Sequence, residues 1–280
     1  MSRISAIVPA YNEAPRLGAV LDILTSYPGF HEVIVVDDGS QDATSEVAAQ
    51  YPVIYLKHGT NLGKGAAMDY GVREAEGDII FFADADIHGL THTMIDRVVA
   101  PVLSGKYEMF IGMHDRKIYT LQFLLSMIPL VGGERALTKT LWQKLPAYYK
   151  EKFRIEPGLN FYAKYFGKGY GYTVLRGITR TKKEEKFGII EGMGRRVRMY
   201  QDQLTAEWHL TFHEIPPTLK SQRIEILSFL GSIFGFMIGL GAVFYFDNEI
   251  LVDLGTLVVL SNLIFALLKL RRISGLVVRG

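Results

Sequence analysis

In the stretch FFADADIH, Phe81 to His88, an apolar run leads straight into two carboxylates one residue apart and then a histidine. A single acid after a strand usually closes a turn, because Asp bonds nearby backbone amides. Two at alternate positions exceed what a turn needs. In extended backbone, side chains at i and i+2 project to the same side, so Asp84 and Asp86 can converge on one cation or on sugar hydroxyls. Hard oxygen donors of this kind suit Mg2+ or Mn2+. His88 is a third candidate ligand, with a solvated loop histidine as its plain alternative. So short a spacing also arises by chance, and the surrounding elements have to decide.

Those elements alternate. Ile4 to Pro9 is apolar and β-branched, Arg16 to Tyr27 has helical spacing, and Glu32 to Asp37 reads as a strand ending in acids. Ser40 and Asp42 look like caps for a helix through Gln50. Val53 to Lys57 is strand-like, Lys64 to Glu74 helical, and Asp78 to Ala83 a further strand. This βαβ repetition predicts an α/β fold, a mostly parallel sheet with helices on both faces, whose ligands bind outside the carboxyl ends of the strands. The unusual residues fall at those ends: PAYNE, DDGSQD, HGTNLGKG and ADADIH follow the four strands in turn. The turn after the first strand, PAYNEAP, lacks the glycines of a dinucleotide-binding fingerprint, and no P-loop is present. Gly63, Lys64 and Gly65 could approach a phosphate or could simply form a tight entry into a helix.

The 280 residues suffice for one large domain and an appendage. With 31 Lys and Arg against 29 Asp and Glu, the formal charge of +2 gives no reason to expect nucleic acid as a partner. The absence of cysteine excludes disulfides, thiol nucleophiles and thiolate metal sites. The opening MSRISAIVPAYNE does not read as a secretory signal. Composition changes near Ile224. Ile226 to Phe246 carries no charge over roughly the length of a membrane-spanning helix, and Ile250 to Leu268 repeats the pattern with one acid, Asp253. Buried helices of a large core are the alternative. With only DNE between them, the two segments predict a transmembrane hairpin. Lys220 and Arg223 precede it and Lys269, Arg271 and Arg272 follow it, so both ends and everything before Ile224 are expected to face the cytoplasm. The expected division is a catalytic domain over 1–220 and a membrane hairpin with a basic tail over 221–280.

Taken together, PAYNE (Pro9 to Glu13), VVDDGSQD (Val35 to Asp42), NLGKGAAMDYG (Asn61 to Gly71) and ADAD (Ala83 to Asp86) resemble the family 2 glycosyltransferases. The resemblance implies the GT-A fold and an inverting transfer from a UDP- or GDP-sugar that depends on Mg2+ or Mn2+. It places base and ribose near Pro9, Tyr11, Glu13 and Asp38, with Lys64 near base or phosphates, Asp86 as direct metal ligand, and Asp84 on metal or ribose. Each residue taken alone has a plainer reading: Tyr11 as packing, Glu13 as a helix-start acid, Asp38 as a turn former and Lys64 as a solvated helix residue.

The hairpin is similar to that of polyprenyl-phosphate glycosyltransferases, including the dolichyl-phosphate mannose synthases. GGERAL (Gly132 to Leu137) and the stretch after the acid pair look more like glucosyl-3-phosphoglycerate synthases. By this resemblance Arg135 is an acceptor-side arginine, and Glu156, in FRIEPGLNFYAKY, an acceptor-side acid. For a hydroxyl acceptor Glu156 could be a general base, whereas a lipid phosphate is already an anionic nucleophile. Ile118 to Val131, flanked by Arg116 and Lys117, reads as an interfacial or a core helix. The basic residues from Arg176 to Arg198 form either a solvated face or a surface for anionic headgroups. The expected protein is a multi-pass membrane glycosyltransferase with a lipid-linked acceptor, polyprenyl phosphate first, and with a homo-oligomer left open. A hydroxyl acceptor and a catalytically silent scaffold of the same fold are the alternatives.

Overall fold

A computed structural model describes residues 2–114, 132–180, 201–203 and 205–214. The chain divides into two units, Met1–Leu210 and Thr211–Gly280, and the fold below belongs to the first. Among the described residues no helix is long and apolar enough to cross a membrane. The expected hairpin, the apolar run from Ile118 to Val131 and the basic residues from Lys182 to Arg198 lie outside the described residues.

The strands are β1 (Ile4–Ala10), β2 (Glu32–Asp37), β3 (Ile54–Lys57), β4 (Ile79–Phe82), β5 (Ile87–His88), β6 (Met109–His114), β7 (Glu134–Thr138), β8 (Tyr170–Leu175) and β9 (Thr179–Arg180). The helices used here are α1 (Ala14–Ser26), α2 (Thr44–Ala48), α3 (Lys64–Glu74), α4 (His92–Leu103), α5 (Lys139–Lys144) and α6 (Ile155–Phe166), with a 3-10 turn at Ala147–Lys150. Seven strands form one sheet in the order β3-β2-β1-β4-β7-β6-β8. All its neighbours pair in parallel except β7, which is antiparallel to both β4 and β6.

Alternation along the strands explains why both faces are covered. Ala6, Val8, Val35 and Phe81 pack with Leu17, Leu21 and Leu24 of α1 and Ile95 and Val98 of α4. Their neighbours Ile7, Ile34, Val36, Ile80 and Phe82 pack on the other side with Met68 and Val72 of α3 and Leu159 and Ala163 of α6. A strand buried on both faces has no polar side to show, which accounts for the near-continuous apolar runs EVIVVD and IIFF.

The elements read from the sequence reappear with shifted ends, apart from two whose limits agree, Glu32–Asp37 and Lys64–Glu74. The largest difference is α2. Its N-cap residue is Ala43 and it ends at Ala48; of the two side chains expected to cap it, Asp42 bonds its first amide and Ser40 serves another loop. Ser40 Oγ accepts from Asn12 N at 2.9 Å, and Asp42 accepts from the amides of Thr44 and Ala14, both at 3.1 Å.

The strand order is the feature that positions the site. From β1 the chain moves outward to β2 and β3, then returns to place β4 on the other side of β1. The crevice at the carboxyl edge of such a reversal is where doubly wound sheets bind ligands. The PAYNE loop leaves β1 there and the ADAD loop leaves β4. Because β7 is antiparallel, its beginning, not its end, lies on this edge: Arg135 pairs with Phe82 of β4.

Candidate functional site

Three loops at the crevice are tied to one another before any ligand is considered. Asn12 takes the left-handed conformation, φ 54°, which Asn adopts more readily than most residues. This turn lets its side-chain oxygen accept from Gln41 N at 2.9 Å, while Glu13 N donates to Thr44 Oγ1 at 3.0 Å. PAYNE and DDGSQD are thus one hydrogen-bonded unit. Glu13 also receives Arg16 Nη1 at 2.9 Å on its carboxylate. Pro9, in β1 opposite Val36, and Tyr11 are both half-buried along the same edge.

The two acids ending the second strand have different surroundings. Asp37 is fully buried and accepts from Ser40 N at 2.7 Å and Tyr55 Oη at 2.5 Å, with Lys57 Nζ 3.5 Å away. Burial alone would raise its pKa. The bonds from Ser40 and Tyr55 and the charge of Lys57 outweigh that and hold the carboxyl below the usual range. Asp38, 3% exposed, gathers the third loop. It accepts from His58 Nδ1 at 2.7 Å, Leu62 N at 2.9 Å and Gly63 N at 2.7 Å. Gly39 has φ +79°, and a Cβ there would lie 2.7 Å from the carbonyl carbon of Thr60, so only glycine allows the two loops to touch.

The third loop delivers Lys64 to the first residue of α3. Its ammonium lies 2.8 Å from Asp84 Oδ1 and 3.7 Å from Glu156 Oε1. Glu156 sits in the first turn of α6, where the helix dipole favours a carboxylate, and its other oxygen accepts from Gln203 Nε2 at 3.2 Å. Residues far apart in the chain, Lys64, Asp84, Glu156 and Gln203, therefore form one charged cluster. The cluster depends on close backbone contact. A Cβ on Gly65 would run into the carbonyl oxygen of Lys150 and sit 2.8 Å from its carbon. The 3-10 turn holding Lys150 is pinned to α3 by Asp69, which accepts from Trp142 Nε1 at 2.8 Å and pairs with Lys150 Nζ at 2.9 Å. In the GKG sequence, the second glycine thus serves helix-to-turn packing.

Asp84 and Asp86 are half-buried on the bend after β4. Two carboxylates at this edge fit a small hard cation that takes its remaining ligands from water and substrate phosphates. Asp84 already faces a positive charge, that of Lys64, so the position accepts a cation. His88 is exposed in β5, paired with Thr179, and among the described residues no three His, Asp or Glu side chains converge as a metal-binding group. Arg135 is 1% exposed, and its Nε and Nη2 donate to Gly132 O at 3.0 and 2.5 Å. Its fork thus braces the start of β7.

A sequence model described as glycosyl transferase family 2 matches residues 5–176. The chain belongs to this family. As a family 2 member it is 44% identical over 102 residues to a dolichyl-phosphate beta-glucosyltransferase of Drosophila melanogaster, covering 30% of each chain. It is 41% identical over 103 residues to the Homo sapiens protein of the same name, covering 30% of this chain and 31% of that one. The chain thus spans under a third of these relatives' length in the matched stretch. Among solved structures, glucosyl-3-phosphoglycerate synthase from Mycobacterium tuberculosis with phosphoglyceric acid superposes with a TM-score of 0.61 at 22% identity, over 73% of this chain and 80% of that one. The likeness establishes a GT-A-like α/β fold for this family 2 chain.

Two features of the site had no sequence signal. Gln203 lies beyond Arg198, the last of the basic residues that begin at Arg176, and the buried pair His114 Nε2 to Glu134 Oε2, 2.7 Å, joins the end of β6 to the start of β7.

Proposed function

We propose that this protein is a membrane-anchored, nucleotide-sugar-dependent glycosyltransferase that faces the cytoplasm and transfers a sugar from a UDP- or GDP-sugar to polyprenyl phosphate with inversion. The observation that carries the reading is the cluster of Asp84, Lys64 and Glu156 at the carboxyl edge of the strand reversal. It joins a donor-side acid to an acceptor-side acid through one lysine. The glycosyltransferase relatives named for dolichyl phosphate support a lipid phosphate acceptor. The solved synthase crystallised with Mn2+ and UDP-glucose supports a metal-assisted donor.

In this reading the joined loops of Pro9, Tyr11, Glu13 and Asp38 form the nucleoside wall. Asp38 builds the wall by fixing Leu62 and Gly63, and one of its lone-pair positions remains for a base or ribose. Asp84 and Asp86 would hold Mg2+ or Mn2+, which supplies charge neutralisation for the departing diphosphate. A phosphate oxygen of the acceptor attacks the anomeric carbon, the bond to the diphosphate breaks, and the nucleoside diphosphate leaves with the electron pair. An anionic nucleophile needs no general base, so Glu156 has the task of placing Lys64.

Glu156 also supports a second reading, a hydroxyl acceptor such as a phosphoglycerate-like metabolite, in which it would remove the hydroxyl proton. Purified full-length protein incubated with UDP- and GDP-sugars, polyprenyl phosphate and 3-phosphoglycerate, with and without EDTA, separates the two by mass spectrometry. A glycosylated polyprenyl phosphate formed only without EDTA is the expected product. Sugar found solely on the hydroxyl compound rejects the lipid acceptor, and no transfer to either in any donor rejects the enzyme.

A further inference from the structure

The ammonium of Lys64 stands 2.8 Å from Asp84 and 3.7 Å from Glu156. All three side chains are largely enclosed, with 23%, 14% and 8% of their surfaces exposed, so the charges are poorly screened. A divalent cation arriving at Asp84 must compete with a cation that is covalently part of the protein. We propose that Lys64 is a placeholder cation, occupying the metal position at Asp84 until a nucleoside diphosphate draws it away, so that metal and nucleotide bind together and neither binds well alone. This rests on the donor reading given above.

The geometry gives the lysine two alternative partners. Its backbone is fixed, because Gly63 N is held by Asp38 and Gly65 lies against the Lys150 carbonyl. Only the side chain can respond. Negative diphosphate oxygens entering the crevice offer it a second anion, and Glu156 offers a third within about an ångström of its present reach. Glu156 cannot easily turn away, since Gln203 holds its other oxygen. Once Lys64 leaves Asp84, its ammonium no longer competes there with the metal that accompanies the diphosphate. The same movement strengthens the bond from Lys64 to the acceptor-side acid, so donor loading is reported to the acceptor side by one side chain. Metal alone supplies no such anion and must displace the ammonium unaided.

The test is Mn2+ binding to full-length protein, followed by loss of the free-ion electron paramagnetic resonance signal, with Mn2+ alone and with UDP or GDP added. Wild type should bind Mn2+ at least about tenfold more tightly when the matching nucleotide is present, a difference that one partly buried charge pair can supply. Lys64→Met, which keeps the apolar stem, should bind Mn2+ alone about tenfold more tightly than wild type and lose most of the nucleotide effect. Lys64→Arg should retain it. Adding Asp84→Asn to Lys64→Met should abolish the gain. If wild type binds Mn2+ with nucleotide but Lys64→Met shows no gain with Mn2+ alone, while its thermal unfolding is unchanged, the placeholder is refuted and the donor reading stands. Absence of Mn2+ binding by every variant with either nucleotide overturns both.

Discussion

Gly65→Ala sets two well-defined effects against each other. Position 65 is the second residue of α3, and in a helix alanine is favoured over glycine by about 0.5–1 kcal/mol. Considered as a helix residue only, the substitution should stabilise. The packing says otherwise. The added carbon would sit 2.8 Å from the Lys150 carbonyl carbon and 3.2 Å from that of Glu151, where ordinary carbon contacts are about 3.5–4.0 Å. The obstacle is backbone, and the Asp69 bonds to Trp142 and Lys150 keep the turn from sliding aside. Overpacking of this kind costs about 1–3 kcal/mol, and a backbone obstacle belongs in the upper part of that range. The net should be a loss of about 1–2 kcal/mol, or a fall in Tm of about 2–8 °C for a unit of this size. Because the turn leads into Glu156, the shift should also lower transfer activity. Thermal unfolding can be followed by tryptophan fluorescence, since Trp142 donates to the same Asp69 that holds the turn. Gly59→Ala, which would meet nothing within 4 Å, is the control and should stay within about 0.5 kcal/mol. A Tm for Gly65→Ala at or above wild type would show that helix propensity decides and that the close approach is not a constraint.

Asp86→Ala should abolish Mg2+- or Mn2+-dependent transfer while leaving the Tm close to wild type, because it removes a ligand from an edge bend without opening a core cavity; unfolding together with inactivity would count against a metal role. Glu156→Gln should reduce transfer to polyprenyl phosphate only modestly, whereas loss of a general base costs on the order of a hundredfold or more, so kcat on lipid and hydroxyl acceptors discriminates the two readings. Burial pushes the Glu207 carboxyl up to about 7, against the pull of Lys164. A raised folded pKa gives stability that is complete below the unfolded value, near 4.3, and is lost as pH rises through about 7. Glu207→Gln should therefore flatten the decline of Tm between pH 5 and 8 and raise Tm at pH 8; an unchanged slope would contradict the raised pKa.

The gathering of the polar loops at one edge was legible because its signals are local. Strand period, loop chemistry and the i, i+2 acids can be read within a few residues, and the sheet's hydrogen bonding then brings the loops to one edge. The meeting of Lys64 with Glu156 was not legible, since it depends on how α6 lies across the sheet. The same holds for Gly65, whose GKG context suggests a phosphate while its actual neighbour is Lys150. The antiparallel entry of β7 between β4 and β6 also leaves no periodic trace, since a strand has the same alternation in either direction. Ser40 misled for a related reason: a side chain that can cap a helix can equally bond another loop, and Asn12 was the nearer claimant, while Asp42 serves both the first amide of α2 and Ala14.

The hydrogen bond from His114 to Glu134 closes a gate in the chain's accounting of length. These residues end β6 and begin β7, adjacent strands paired at Gly112 and Glu134, so everything between them departs from and returns to nearly one point. The entropy of closing such a loop grows only logarithmically, about 0.6 kcal/mol for each doubling of its length. Sequence between His114 and Gly132 can thus be lengthened, shortened or exchanged among relatives at small expense to the fold. The loops that follow β1 to β4, all supplied before residue 87, are untouched by such changes. A segment of variable length can therefore be carried at this point of the sheet without disturbing the edge that gathers Lys64, Asp84 and Glu156, and chimaeras joined at these two residues offer a practical way to test that separation.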